Sequence, residues 1–223
     1  MAGSVVLLAG LPDTVPAMTI NRFCSSGVQA VALAADRIRT GDDDVVIAAG
    51  TESMSMVPMM GNKIALNDAV FTRDENVAIA YGMGITAENV AKQWKVSRED
   101  QDAFAVASHQ KAAKAIASGG FKDEIVPYEV DCAAPDLASG KVVHRKKVAD
   151  TDEGPRPDSS IEGLGKLKTV FAARGTVTAG NSSQMSDGAG AVILMSERAM
   201  KKYGVKPMAR FVSFAVAGVP PEI

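Results

Sequence analysis

Cys24, in the run Asn21-Arg22-Phe23-Cys24-Ser25-Ser26-Gly27, is the residue of this chain best suited to do chemistry. An apolar, extended-looking stretch leads into it and a long amphipathic pattern leads out, which puts the thiol where a strand ends and a helix begins. Backbone N–H groups and the positive end of the helix dipole converge at such a point, and both stabilise a thiolate. That is what nucleophilic catalysis by cysteine requires. Taken alone, a cysteine at a tight turn reads more readily as a small buried residue. The rest of the chain reverses that preference.

The elements that must hold Cys24 are legible on either side of it. Residues 16–23 read as a strand, and 25–39 as a helix with Val28, Val31, Ala32, Ala35 and Ile38 on one stripe. Gly41 suits its C-terminal stop. Asp42, Asp43 and Asp44 read as a solvated turn rather than a cation site, because no second ligand cluster follows. Residues 45–49 are continuously apolar up to Gly50, the pattern of a strand covered on both faces in a parallel sheet. Upstream, residues 4–9 read as the end of a packed helix closed by Gly10 and Pro12.

Farther along, Met54, Met56, Met59 and Met60 crowd a stretch with Pro58 and Gly61. Methionines fill irregular gaps, so packing is a plainer reading than an acyl channel. Residues 86–94 and 97–118 read as helices, the second capped by Ser97 with Glu99 and Asp100 in its first turn. Phe104, Ala107, Ala112 and Ile116 form its expected apolar face, and Gly119-Gly120 its end. Residues 131–160 read as polar loops with short strands. The basic run His144-Arg145-Lys146-Lys147 within them reads as a solvated face before a phosphate site. A turn at Asn181-Ser182-Ser183-Gln184, a strand over 191–195, a helix over 196–203 capped by Ser196 and a strand over 208–216 complete the pattern.

Composition narrows the function classes. With 223 residues, 47% of them hydrophobic, the chain can bury a sizeable core. A net charge of -2 and 5% aromatics argue against a nucleic-acid partner, and the charge gives no pull towards an anionic membrane. The two cysteines make no disulfide framework and lack metal-ligand spacing, so no metal is expected and a reducing setting is the simplest, cytoplasmic first with mitochondrial or peroxisomal as alternatives. No basic residue precedes Arg22, which argues against a signal peptide, and no window is long and apolar enough to span a bilayer.

Three motifs, in order, resemble the thiolase family. The first is Asn21-Arg22-Phe23-Cys24-Ser25-Ser26-Gly27, extended by Ala48-Ala49-Gly50-Thr51-Glu52-Ser53-Met54-Ser55. The second is Met83-Gly84-Ile85-Thr86-Ala87-Glu88-Asn89-Val90-Ala91, followed by Ser97-Arg98-Glu99-Asp100-Gln101-Asp102. The third runs Gly175-Thr176-Val177-Thr178-Ala179-Gly180-Asn181-Ser182-Ser183-Gln184-Met185-Ser186-Asp187-Gly188-Ala189. A cysteine after Asn-Arg-Phe is more similar to the degradative 3-ketoacyl-CoA thiolases than to the biosynthetic acetoacetyl-CoA type.

The resemblance implies an α/β, thiolase-like fold: a partial N-terminal αβα half with an inserted loop domain. Residues 1–53 and 175–205 would belong to that half, 54–174 to the inserted loop domain, and 206–223 to the start of a C-terminal half. It implies that Cys24 attacks a 3-ketoacyl-CoA, releases acetyl-CoA and passes the shortened acyl group to a second CoA. Coenzyme A is then a substrate, not a bound cofactor. By position, Arg156 matches an arginine placed against the CoA nucleotide, where a planar guanidinium both donates and stacks. Ser183 falls in the turn that touches the pantetheine arm. Leu167, Phe171 and Ala179 match apolar positions along that arm, and Met83 a residue near the reacting thioester. A dimer or tetramer is implied for an intact member.

Other family motifs have no counterpart in the sequence: a histidine in Gly-His-Pro, a second cysteine in Cys-x-Gly-x-Gly and an asparagine in Asn-Glu-Ala-Phe. His109, His144 and Cys132 stand in other contexts, and position 82 is Gly where some members carry histidine. The expectation is therefore a fragment, inactive alone, with exposed apolar edges at 45–49 and 211–216 and a missing half supplied elsewhere, as a separate chain in one reading. A non-catalytic CoA-binding module and a structural subunit are the competing expectations, with a ketoacyl synthase behind them.

Overall fold

In the computed structural model, which describes residues 1–59 and 61–223, two helices flank the cysteine segment: α1 (Ala2–Leu8) and α2 (Ser26–Thr40). Gly41 ends α2 at φ 83°, a left-handed value that glycine adopts without strain. Alanines at 32, 34 and 35 form its buried face and lie against β1 (Val45–Ser53), where Ala48 is buried. Small side chains let the helix sit close to the strand. Val28, expected on the same stripe, is exposed. Met60, counted in the methionine cluster, lies outside the described residues.

The chain divides into two units, Met1–Lys63 with Met185–Gly218, and Ile64–Gln184 with Val219–Ile223. The first unit holds α1, α2, β1, β4 (Asp187–Met195) and α7 (Glu197–Tyr203). β1 and β4 pair antiparallel along nine residues, from Val45 opposite Met195 to Ser53 opposite Asp187. The parallel arrangement expected for 45–49 is therefore replaced by an antiparallel one. An apolar run reports burial tendency, not strand direction. Asp44 is structural rather than simply solvated: its carboxylate accepts from Ser196 Oγ at 2.6 Å and Arg198 Nη2 at 2.5 Å, which latches the start of α7 beside the start of β1. Ser196 caps α7 by accepting from Ala199 N, as predicted.

Residues 16–23 and 208–216 form no ladder among the described residues, although both read as strands. A strand exists only through a hydrogen-bonded neighbour, and Phe23 is instead taken into a 3-10 turn. Arg39 reaches the second segment, stacking 4.9 Å from the Phe211 ring centroid and donating to the Val212 carbonyl at 2.8 Å. The upstream helix forms as α1 but buries none of its residues, against the packed end expected there.

The second unit contains α3 (Asp74–Val77), α4 (Met83–Trp94), α5 (Arg98–Ala117), β2 (Tyr128–Asp136), β3 (Lys141–Ala149) and α6 (Ile161–Gly165). Ser97 caps α5 by accepting from Asp100 N, as the sequence predicts. The buried face of α5 differs from the predicted one. Phe104 is exposed, whereas Asp102 and Val106 are buried. The polar stretch predicted as loops with short strands holds longer strands than expected: β2 and β3 make a nine-residue antiparallel hairpin, turned by Gly140 at φ 65°. Its strands escape the apolar signal because they carry charged residues, with Asp131 opposite Lys146 and Lys146 paired diagonally with Glu129 at 2.7 Å.

Candidate functional site

Cys24 occupies the middle of a single 3-10 turn, Phe23–Ser25, that opens directly into α2. Local hydrogen bonds fix the turn. Phe23 N donates to Asn21 Oδ1 at 2.8 Å, and Arg22 N donates to Ser26 Oγ at 2.8 Å. Ser26 Oγ donates in turn to the Phe23 carbonyl at 2.7 Å, while Arg22 Nε donates to Gln29 Oε1 at 2.8 Å. Phe23 takes φ 45°, an outlying conformation for a bulky side chain. Cys24 is thereby carried on a tight turn at the head of α2, free and exposed. The buried-residue reading does not hold. An exposed thiol at the head of a helix, where the helix dipole favours an anion, is a candidate nucleophile.

The other six residues singled out from the sequence all lie in the second unit and are all exposed. Met83 is the first residue of α4. The Phe171 ring lies directly over Gly84, so closely that a Cβ there would meet it. Leu167 packs on Gly180, where an added Cβ would fall 2.6 Å from Leu167 Cδ1. Thr169 and Thr178 form an antiparallel bridge, and Val170 N donates to the Val177 carbonyl at 3.2 Å. These contacts bring the segment with Leu167 and Phe171 alongside the turn with Ala179 and Ser183. Arg156 reaches the same neighbourhood: Gly154 lies against the Gln184 side chain, and Arg156 N donates to His109 Nδ1 at 3.1 Å.

A buried polar network underlies that turn. Thr178 is fully buried, and its N–H donates to Asn181 Oδ1 at 2.7 Å. Asn181 Nδ2 donates to Asp102 Oδ1 at 2.9 Å, and Arg98 Nε donates to Asp102 Oδ2 at 2.7 Å. Arg98 Nη2 also donates to the Leu164 carbonyl at 2.7 Å. From α4, Glu88 accepts from Thr176 N and Val177 N, both at 2.9 Å. Each of these polar groups has a partner, which offsets its desolvation. The sequence motifs contained all of them without revealing their role. The available signal was the spacing Arg98, Asp102, Val106, His109, which places an oppositely charged i, i+4 pair on one helical face beside an apolar residue.

Residues 1–198 match the family described as "Thiolase, N-terminal domain". The chain belongs to the thiolase family. A 3-ketoacyl-CoA thiolase of Bacillus subtilis (strain 168) is 52% identical over 224 residues, covering 100% of this chain and 56% of that protein. An acetyl-CoA acetyltransferase of Thiocystis violacea is 45% identical over 235 residues, covering 100% of this chain and 57% of that protein. The crystal structure of the dimeric peroxisomal thiolase of Saccharomyces cerevisiae superposes with a TM-score of 0.85 at 37% identity, covering 99% of this chain and 53% of that one. The fold is accordingly α/β and thiolase-like, and the chain spans about half the length of the curated relatives it matches.

Within this thiolase chain the remaining chemistry-bearing residues are engaged elsewhere. His109 on α5 accepts from Arg156, and His144 on β3 pairs with Asp131 at 3.2 Å. Cys132 lies exposed on β2. In the basic run, Lys146 pairs with Glu129 and Lys147 with Glu153, which gives an ion-paired solvated face. Among the described residues, no group of three or more His, Cys, Asp or Glu stands together as a metal site, and no helix is long and apolar enough to cross a membrane.

Proposed function

We propose that this chain is the nucleophile-bearing and CoA-recognising part of a degradative 3-ketoacyl-CoA thiolase. The carrying observation is the exposed Cys24 on its constrained turn at the head of α2. In this reading Cys24 Sγ attacks the 3-keto carbon of a 3-ketoacyl-CoA. The bond between C2 and C3 breaks, its electron pair goes to C2, and C2 takes a proton to leave as acetyl-CoA. The shortened acyl group stays as a thioester on Cys24 until the thiol of a second CoA takes it. Splitting one difficult step into two thioester exchanges is the benefit of covalent catalysis. Arg156 meets the nucleotide, Ser183 and Ala179 the pantetheine arm, Leu167 and Phe171 its apolar flank, and Met83 the thioester end.

The same reading assigns 1–53 and 175–205 to the nucleophile-bearing half, 54–174 to an inserted loop domain and 206–223 to the start of the other half. The general-base histidine and the second cysteine that the family resemblance implies then come from outside this stretch, and this stretch alone does not turn over. An intact member would act as a homo-oligomer. The Asn-Arg-Phe lead into Cys24 supports the degradative type over the biosynthetic one.

Intact-protein mass spectrometry after incubation with 3-ketoacyl-CoA substrates tests the proposal, with the C-terminal half of the Bacillus subtilis relative supplied as a separate chain. The expected result is an acyl adduct that appears with both halves and disappears in Cys24→Ala. An adduct that persists in Cys24→Ala removes Cys24 as nucleophile. CoA binding with no adduct in any mixture turns the reading to a non-catalytic CoA-binding module. Adducts from acetoacetyl-CoA alone, and none from longer 3-ketoacyl chains, turn it to the biosynthetic type.

A further inference from the structure

The turn that carries Ala179 and Ser183 is not held by its own backbone alone. Its inner residues are tied to two helices by a carboxylate from each. Glu88 on α4 accepts the backbone N–H groups of Thr176 and Val177. Asp102 on α5 accepts from Asn181 Nδ2, and Asn181 closes the turn by accepting from Thr178 N and donating to the Thr176 carbonyl at 3.1 Å. Asp102 is 3% exposed, so it makes no contact of its own with a ligand in solution. Its second oxygen is taken by Arg98, whose guanidinium extends to the carbonyls of Leu164 and Leu167 at 2.7 and 3.2 Å. Asp102 thus joins the two strips that flank the proposed pantetheine path: the turn through Asn181, and the Leu167 segment through Arg98.

We propose that Asp102, acting through Asn181 and Arg98, is a positioning residue that sets the pantetheine-facing turn 176–183 against the Leu167 segment. The proposal rests on the CoA-recognition reading above. A carboxylate in a low-dielectric setting bound to two donors has one well-defined geometry, so it fixes both strips at once. Arg156 is anchored separately, through His109, two helical turns farther along α5. Loss of the Asp102 network should therefore affect the pantetheine arm and spare the nucleotide end. A network that serves stability alone would not discriminate between the two.

Ligand-observed NMR with pantetheine, adenosine 3′,5′-bisphosphate and CoA tests this on the wild-type chain, Asp102→Asn and Asn181→Ala, with thermal unfolding followed in parallel. In the variants, affinity for pantetheine and CoA is expected to fall on the order of tenfold, as loss of one hydrogen bond to a charged group implies. Affinity for the bisphosphate is expected to stay unchanged. Unchanged pantetheine affinity in both variants overturns the proposal. Equal loss of pantetheine and bisphosphate overturns it too, because the network would then be a general structural support. Failure of both variants to fold has the same meaning; if only Asp102→Asn unfolds, Asn181→Ala decides. A wild-type chain that binds none of the three probes instead defeats the CoA-recognition reading itself, and this inference with it.

Discussion

Phe23 adopts φ 45°, in the left-handed region that costs an ordinary L residue roughly 1–2 kcal/mol. The cost falls on the residue immediately before the proposed nucleophile, where it turns the chain sharply enough to present Cys24 before α2 begins. Hydrogen bonds from Phe23 N to Asn21 and from Ser26 to the Phe23 carbonyl hold it there. The Phe23 side chain is itself exposed, so its substitution tests the backbone and not packing. Phe23→Val is expected to lower the unfolding free energy by roughly 1 kcal/mol, because a β-branched residue resists positive φ. Phe23→Gly is expected to leave it nearly unchanged, strain relief being offset by about 0.5–1 kcal/mol of added backbone entropy in the unfolded chain. Urea unfolding curves of the three proteins distinguish these outcomes. Equal stability in all three would mean that the turn stores no strain.

At the scale of elements, carboxylates at chain reversals fasten the first unit. Asp44 joins the start of β1 to α7, and Asp187 at the far end of the ladder accepts from Ser55 N at 2.9 Å and from Ser55 Oγ. The Asp44 carboxyl is held below the ordinary range, first by the hydrogen bond from Arg198 and then by that from Ser196. Asp187 is lowered chiefly by the Ser55 hydroxyl, then by the Ser55 N–H. A carboxyl lowered in the folded state stabilises it above the unfolded value, about pH 4, and that contribution is lost as pH falls through the folded value. The urea midpoint should therefore drop between pH 5 and pH 3, and Asp44→Asn should flatten part of that slope. An identical slope in the variant would leave Asp44 without a stabilising role.

The same elements mark how far the sequence could be read. Helix ends were legible because caps are local: Gly41, Ser97 and Ser196 act within their own turns. Strands 16–23 and 208–216 were misread because an alternating or apolar run specifies a face but not a partner. The hairpin β2–β3 was obscured by its charged rungs. Around the candidate site, the helix start after Cys24 was legible but the strand expected before it was not, and the links made by Glu88, Asp102 and Asn181 were hidden. Their partners lie about 80 residues away in sequence, as the Asn181–Asp102 separation of 79 shows, and one sequence carries no record of such a contact.

Across the whole molecule, burial is sparse. Among the described residues, the buried hydrophobic ones are Ala32, Ala34, Ala35, Ala48, Ala78, Ala91, Ala199, Val106, Leu164 and Val177, mostly alanines with little apolar area to contribute. Val45 and Ile47 on β1, Val192 and Ile193 on β4, and Val212 and Val216 beyond α7 are all exposed. Such surfaces call for partners. The purified chain is expected to bind an apolar fluorescent dye such as anilinonaphthalene sulfonate strongly. Adding the C-terminal half of the Bacillus subtilis relative should reduce that emission and protect the β1 and β4 amides from hydrogen exchange. Emission and exchange that ignore the added half would show that it does not cover these surfaces.

The contact between Arg156 and His109 has a spectroscopic consequence. His109 accepts at Nδ1, so with that bond made its imidazole must carry the ring proton on Nε2. The chain has only two histidines. Nitrogen-15 spectra of the imidazoles should therefore resolve the His109 tautomer without a crowded background. That signal reports directly whether the loop bearing Arg156 is docked on α5, in the free protein and as ligand is added.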